Sequence, residues 1–243
     1  MTLKILQWNI NGYSSNYHEL QLLIKEKSPD VICIQETHIP LTPISNPFYP
    51  KQYLGYFFNL NNIQTNKQGV GILIKRHIPH EVINITSSLS TIALKLNLNL
   101  PFGIASTYIH PQQVFSETDL RNLFQQLPTP ILWTGDFNAW NHLWGSQKSN
   151  ARGSIIENFI LNHHLVLLNN GSPTHFSTHS TLTHFDLSLA SPQLSPRIKW
   201  NISTDLKGSD YFPISITVQT SLHPIKYNHR PIFKTDFAKW DAF

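Results

Sequence analysis

The chain has 243 residues, 40% hydrophobic and 13% charged, a balance that excludes a disordered polyelectrolyte and allows one large domain with a sizeable core. Eighteen Lys and Arg against 14 Asp and Glu give a formal charge of +4 and a pI near 9.1, which favours a polyanionic partner without identifying one. The single cysteine, Cys33, excludes an intrachain disulfide, and no stretch approaches the ~20 apolar residues of a bilayer span, so we expect an intracellular protein without a signal peptide.

In chain order, the first apolar run, 3–10, predicts a strand that ends in Gln7-Trp8-Asn9-Ile10-Asn11-Gly12. Residues 17–27 carry Leu20, Leu23 and Ile24 on one helical face and stop before Ser28-Pro29. Strands are predicted at 31–35, running through Cys33 into Gln35-Glu36-Thr37, then at 56–59, 70–75, 92–98 and 103–109, the last carrying Tyr108 before His110-Pro111. A second helix, 117–127, aligns Leu120, Leu123, Phe124 and Leu127. The strand 131–135 leads into Asp136-Phe137-Asn138-Ala139, a third helix over 153–163 aligns Ile155, Ile156, Phe159 and Ile160, and strands at 185–189 and 214–218 complete the pattern. Many strands with few helices predict an α/β (α+β) four-layer sandwich, two packed mixed sheets flanked by helices, rather than a doubly wound single sheet. We assign 1–220 to this domain. The pattern dissolves over 221–243, through Pro224, His229 and Pro231, into a linker towards a downstream domain.

Polar residues of catalytic type stand at the ends of the predicted strands, where loops gather into sites. Singly, each reads more readily as a cap or turn residue, and Tyr108 as a core residue with a satisfied hydroxyl. Their order and spacing decide otherwise. The series Trp8-Asn9-Ile10-Asn11-Gly12, Gln35-Glu36-Thr37, Tyr108 with His110-Pro111, Gly135-Asp136-Phe137-Asn138-Ala139, Phe185-Asp186 and Ser209-Asp210 before Phe212-Pro213 resembles the endonuclease/exonuclease/phosphatase superfamily, which includes abasic-site endonucleases and DNase I. With Trp144-Gly145-Ser146, Ala151-Arg152-Gly153 and the run 168–174, it resembles more narrowly the apurinic-like endonuclease domain of non-LTR retrotransposon polyproteins of the jockey and I-element type.

The resemblance implies a DNase I-like fold and a metal-dependent endonuclease that nicks double-stranded DNA in the nucleus, leaving a 3′-hydroxyl to prime reverse transcription. Its implied partners are the element RNA and a reverse transcriptase domain of the full polyprotein, with no membrane. Phosphodiester hydrolysis needs a water nucleophile and neutralisation of charge building on the phosphoryl oxygens. Mg²⁺, with Mn²⁺ as a substitute, suits a site offering one or two carboxylates. By resemblance, Glu36 is the principal metal ligand, with Asn9 and Asp210 at the metal site. Asp136 orients or deprotonates the attacking water, Asn138 holds the phosphate and Asp136 in register, Tyr108 hydrogen-bonds the scissile phosphate, and Asp186 forms a dyad with residue 211. Asn11 stands where abasic-site enzymes carry an Asp ligand, so we expect a lean metal site of modest affinity.

The family pattern Ser-Asp-His is here Ser209-Asp210-Tyr211. An imidazole beside a carboxylate can become cationic, whereas a phenol with an ordinary pKa near 10 stays neutral. We expect nicking weakened by at least about tenfold; the competing account brings another of the chain's histidines to the site. Two other functions stand beside this one: a DNA-positioning module that has lost nicking, and an abasic-site repair endonuclease. His175, His179 and His184 raise a zinc site, but the four-residue spacing of the first two juxtaposes them only on a helix, and the intervening residues are of strand or loop type. The polar segment 174–184 is similar in position to the hairpin that retrotransposon endonucleases lay against DNA, which makes Thr174, His175, Ser177, Thr178, His179 and Thr181 candidate DNA contacts.

Overall fold

A computed structural model describes residues 2–40, 47–59, 68–177 and 180–221. In chain order its strands are β1 (Thr2–Asn9), β2 (Val31–Gln35), β3 (Tyr53–Phe58), β4 (Val70–Lys75), β5 (His80–Ile83), β6 (Ser90–Leu96), β7 (Phe102–Tyr108), β8 (Ile131–Asp136), β9 (Val166–Leu167), β10 (His175–Phe176), β11 (Leu182–Thr183), β12 (Asp186–Ala190), β13 (Ile198–Ile202) and β14 (Ile214–Gln219). The helices are α1 (Tyr17–Lys27), α2 (Glu117–Phe124) and α3 (Ala151–Asn162). One six-stranded sheet runs β13-β14-β1-β2-β4-β3, the other β5-β6-β7-β8-β12-β9, and β10-β11 form a separate hairpin. Both sheets are mixed: β1 pairs parallel with β2, and β7 parallel with β8, while their other neighbours are antiparallel.

The side-chain period of two explains the layering. In β1, Leu3 and Ile5 enter the core between the sheets with Val31, Cys33, Ile104 and Leu132, while Leu6 and Trp8 point the other way and pack with Leu20 and Leu23 of α1. In the second sheet, Ala105, Ile131, Trp133, Leu187 and Leu189 face α2 and α3, against Leu120, Leu123, Ile156 and Phe159. Helix, sheet, sheet and helices thus stack in four layers, as the element pattern predicts. Cys33 is fully buried in the middle layer, and burial pushes its thiol up to about 12, in keeping with a packing role.

The helix ends follow their capping residues. Ser28 at φ 49° stops α1 before Pro29. Ser116 and Asp119 form a reciprocal capping box at the start of α2, and the Asn150 side chain accepts from Gly153 N–H at the start of α3. Helix α2 ends at Phe124, short of the predicted 127. β5, β9 and β13 fall outside the predicted runs: β5 and β9 are short edge strands, and β13 is a half-exposed one that buries only Ile198, Trp200 and Ile202 partly. No helix among the described residues is long and apolar enough to cross a membrane. The expected linker lies, beyond Ser221, outside the described residues.

Candidate active site

The strands that fill the middle core become polar towards one rim. On the inward face, β1 reads Leu3, Ile5, Gln7, Asn9, β2 reads Val31, Cys33, Gln35, β7 reads Phe102, Ile104, Ser106, Tyr108, and β8 reads Leu132, Thr134, Asp136. Antiparallel β12 supplies the same gradient in reverse, Asp186, Ser188, Ala190. Beneath the rim lies a buried polar layer in which Gln7 Nε2 donates to Asp186 Oδ1 (3.2 Å), Ser188 Oγ donates to Gln7 Oε1 (3.0 Å) and Gln35 Nε2 donates to Ser106 Oγ (2.9 Å). These bonds tie the sheets together below the site, where unpaired polar groups would be costly.

At the rim, Asn9 Nδ2 donates to both Glu36 Oε1 and Asp136 Oδ2, each at 2.9 Å, while its own oxygen accepts from Asn11 N–H. Asn9 therefore holds the two carboxylates together through its amide nitrogen. Asn138 closes the ring: its N–H donates to Asp136 Oδ1 (2.9 Å) and its Nδ2 to Asp136 Oδ2 (3.1 Å) and Ile109 O (3.2 Å). Glu36, Asn11 and Asn138 have φ of 49°, 46° and 49°, left-handed backbone that a Glu adopts at a cost of about 1 kcal/mol or more. Such strain, collected where strands end, belongs to residues whose direction matters. Gly135 permits the close approach of β7 and β8 beneath Asp136, since a Cβ there would stand 2.0 Å from Thr107 O.

The electrostatics are those of crowded buried anions. Burial, then the Glu36 charge, pushes the Asp136 carboxyl up to about 7 against the bonds from Asn138, Tyr211 and Asn9. Burial, then Asp136, raises Asp186 well above the carboxylate range. Asp136 and Asp186 are direct cross-strand partners, so the sheet register itself creates the repulsion. Tyr108 is buried beside both Glu36 and Asp136, and desolvation followed by those two charges raises its phenol far above its ordinary value. Glu36 remains partly open at 15% side-chain exposure, with His38 Nε2 3.2 Å from its Oε2.

Tyr211 is buried, and its hydroxyl lies in hydrogen-bonding reach of Asp136; burial first, then the Asp136 and Asp186 charges, raise it strongly. Asp186 Oδ1 accepts instead from Gln7 Nε2, and its Oδ2 has no hydrogen-bond partner. The expected dyad is thus not a hydrogen bond here. Asp210 accepts from Asn11 Nδ2 (3.1 Å) and lies 3.4 Å from His175 Nε2. Burial works to raise Asp210, but the His175 hydrogen bond and charge outweigh it and hold the carboxyl low. The His175 ring, 12% exposed, sits 4.4 Å from the Tyr211 ring, with Nδ1 2.7 Å from Thr183 Oγ1. A second histidine does approach the site.

The polar hairpin divides. Ser177 and Thr181 bond each other near its tip, with Thr181 exposed. Thr178 and His179 lie outside the described residues. Thr174 is fully buried, which overturns its placement on DNA: its Oγ1 accepts from the N–H groups of Phe185 and Asp186 (3.1 Å each) and so orients Asp186. His175 also faces inward more than the polar composition suggests. His184 is buried against Gly171 O, and among the described residues no three of His, Cys, Asp and Glu form a metal cage.

Arg152, reached in sequence only as part of a family-like tripeptide, is a support of the site. Its guanidinium donates to the carbonyls of His110, Pro111, Gln113, Ile109 and Phe137, clamping the loops after β7 and β8. Gln7 and His38 likewise stand at the site without a local sequence signal beyond polarity at a strand end.

Residues 102–215 match the family described as endonuclease-reverse transcriptase. The chain is 27% identical over 225 residues to a probable RNA-directed DNA polymerase from transposon X-element of Drosophila melanogaster, covering 90% of the chain and 24% of that protein. It is 26% identical over 185 residues to the RNA-directed DNA polymerase from mobile element jockey of the same fly, covering 75% and 20%. The chain thus spans about a quarter or less of the relatives it matches. Among solved structures, the chain overlays the endonuclease domain of TRAS1, a telomere-specific non-LTR retrotransposon, with TM-score 0.71 and 18% identity over 90% of this chain and 99% of that one. The fold is therefore that of the DNase I-like domains.

Proposed function

We propose that this domain is a metal-dependent endonuclease that nicks one strand of nuclear target DNA and leaves a 3′-hydroxyl for reverse transcription by the polyprotein to which it belongs. The observation that carries this reading is the hydrogen-bonded ring of Asn9, Glu36, Asp136 and Asn138, assembled from both sheets at the rim. The relatives' polymerase names support the setting, with element RNA and a reverse transcriptase domain as partners.

The donor set fits Mg²⁺ or Mn²⁺. A partly open Glu36 with Asp136 behind it offers hard oxygens without a closed cage, which suits an ion that keeps several waters and disfavours zinc. Glu36 would hold the ion, with Asp210 at the same site. A divalent ion bound there supplies neutralisation of the charge that develops on the phosphoryl oxygens. Asp136, its carboxyl lifted towards neutrality, accepts the proton of the attacking water. Asn9 and Asn138 keep that carboxylate in place, and Tyr108, beside Glu36 and Asp136, would hydrogen-bond the scissile phosphate.

Tyr211 attenuates the reaction in this reading. Its neutral phenol occupies Asp136, the carboxylate that the water needs, and leaves Asp186 without an imidazole. The test is relaxation of supercoiled plasmid in Mg²⁺ by the parent, Tyr211→His and Glu36→Ala. Slow, Glu36-dependent nicking that rises at least about tenfold in Tyr211→His is expected. A parent and a Tyr211→His variant that bind duplex without nicking would move the domain to DNA positioning, the reading that the buried phenol favours. Strong preference for a duplex with an abasic site would make it a repair enzyme.

A further inference from the structure

Beside the catalytic ring, a cleft of about 490 Å³ opens between the segment 140–148 and the β10–β11 hairpin, with Trp140, Gln147, Lys148, Thr181, Leu182 and His184 among its walls. We propose that this cleft seats a nucleotide of the target strand next to the scissile phosphate, with Lys148 on its phosphate and Trp140 against its base. The proposal rests on the endonuclease reading above and names a subsite for that substrate. Its size is within the range of clefts that hold small ligands.

Chemistry selects the occupant. Among the described residues, the cleft wall holds one cation, several hydroxyls, one side-chain amide, an indole and an exposed leucine, and no acidic side chain. Lys148 Nζ stands 4.8 Å from the centre of the Trp140 ring. A phosphate oxygen is a stronger partner for an ammonium than an exposed ring face. When Lys148 turns to such an oxygen, it uncovers the indole, and a bared indole is the surface on which a base stacks irrespective of its identity.

The 140–153 wall of the cleft is closely bonded. Asn150 accepts from Trp140 N–H (3.3 Å) and from Gly153 N–H (2.8 Å), and its own N–H donates to Trp140 O (3.0 Å), closing the loop onto the start of α3. Gly153 allows this closeness, since a Cβ there would meet Trp140 O at 1.9 Å. Within the loop, Ser146 N–H donates to Asn141 O and Gly145 N–H to His142 O. An aromatic series also joins the cleft to the catalytic centre. Trp140 lies 5.2 Å from Phe185, Phe185 5.3 Å from His175, and His175 4.4 Å from Tyr211 between ring centres. Trp140 also follows Asn138 by two residues in the chain, so a strand whose scissile phosphate sits at Asp136 would pass this cleft.

The test is binding of a fluorescently labelled duplex followed by anisotropy in EDTA from about 50 to 200 mM salt, together with mapping of nicks on plasmid in Mg²⁺. Lys148→Ala should weaken binding and reduce the slope of log affinity against log salt by about 0.9, the signature of one lost phosphate contact. Trp140→Ala should weaken binding roughly 5- to 150-fold, with Trp140→Phe retaining most of the affinity and guarding against a folding defect in the alanine variant. Both Lys148→Ala and Trp140→Ala should redistribute the nicks. If the parent binds and nicks while folded Lys148→Ala and Trp140→Phe or Trp140→Ala variants keep its affinity, slope and nick positions, this subsite is wrong and the endonuclease reading stands. If the parent neither binds nor nicks duplex DNA, both fall together.

Discussion

Replacing Asp136 by Asn tests the electrostatic reading of the site through stability alone, without any turnover. In the metal-free protein, burial and Glu36 lift this carboxyl to about 7 from an ordinary 3.8. The folded state therefore keeps a proton that the unfolded chain has released. The associated stability is complete below pH 3.8 and is lost as pH rises to about 7. At 1.36 kcal/mol per pKa unit, the loss between pH 5 and pH 8 is roughly 2–3 kcal/mol. Asn does not titrate, and the hydrogen bonds it loses from Asn9 or Asn138 shift its stability by an amount that does not change with pH. The readout is thus the difference between parent and Asp136→Asn, measured by thermal unfolding in EDTA at each pH. For a domain of this size it should move by roughly 5–10 °C, the parent losing ground as pH rises. Parallel curves for the two proteins would mean that Asp136 titrates normally and that the site is not the crowded anion cluster described above.

Other substitutions probe the supports and the departure at 211. His175→Ala should lower nicking in the parent but cost clearly less in the Tyr211→His background, where an imidazole again faces Asp186; equal losses in both backgrounds would make His175 a packing residue only. Arg152→Lys, which cannot reach several carbonyls with a planar fork, should destabilise by about 2–4 kcal/mol in urea unfolding, and a near-neutral result would remove the clamp. Thr174→Val leaves the N–H groups of Phe185 and Asp186 unpaired and should cost a similar 2–4 kcal/mol, whereas an unchanged urea midpoint would return Thr174 to the surface.

The parts of the fold written in local periodicity were legible. The runs 31–35 and 70–75 coincide with β2 and β4 because their continuous apolar character comes from burial on both faces, and α1 matches its leucine stripe end to end. β9 and the hairpin strands are two residues each, too short for any period to register, and exist because neighbouring strands offer them a ladder. Residues at strand ends were found through their order in the chain. Gln7, Ser106 and Ser188 escaped because their role lies in bonds across the sheets, with partners 71 to 181 positions away in sequence. Thr174 belongs to a polar segment whose composition says surface, while only the tertiary position of Asp186 makes it a buried acceptor. The left-handed backbone of Glu36 has no sequence signal either, since Glu is not a residue chosen for that conformation.

The register that places Asp136 opposite Asp186 explains why one residue at 211 affects both. Like charges directly across a sheet repel, and this pair is held where water cannot screen it. Asp136 answers with donors from Asn9 and Asn138 and from the Tyr211 hydroxyl. Asp186 has Gln7 on one side and a bare Oδ2 on the other. A phenol has one proton to give, and the Tyr211 hydroxyl lies in reach of Asp136 while Asp186 keeps a bare Oδ2, so in the proposed mechanism the carboxylate that receives the attacking water's proton is engaged and its neighbour is unmatched. An imidazole at 211 that donated to Asp186 would satisfy the bare oxygen, lower the repulsion felt by Asp136 and free a lone pair on it for water. Tyr211→His thus changes two proton positions with one substitution, and its gain in nicking should exceed that of Tyr211→Phe, which frees Asp136 but supplies nothing to Asp186.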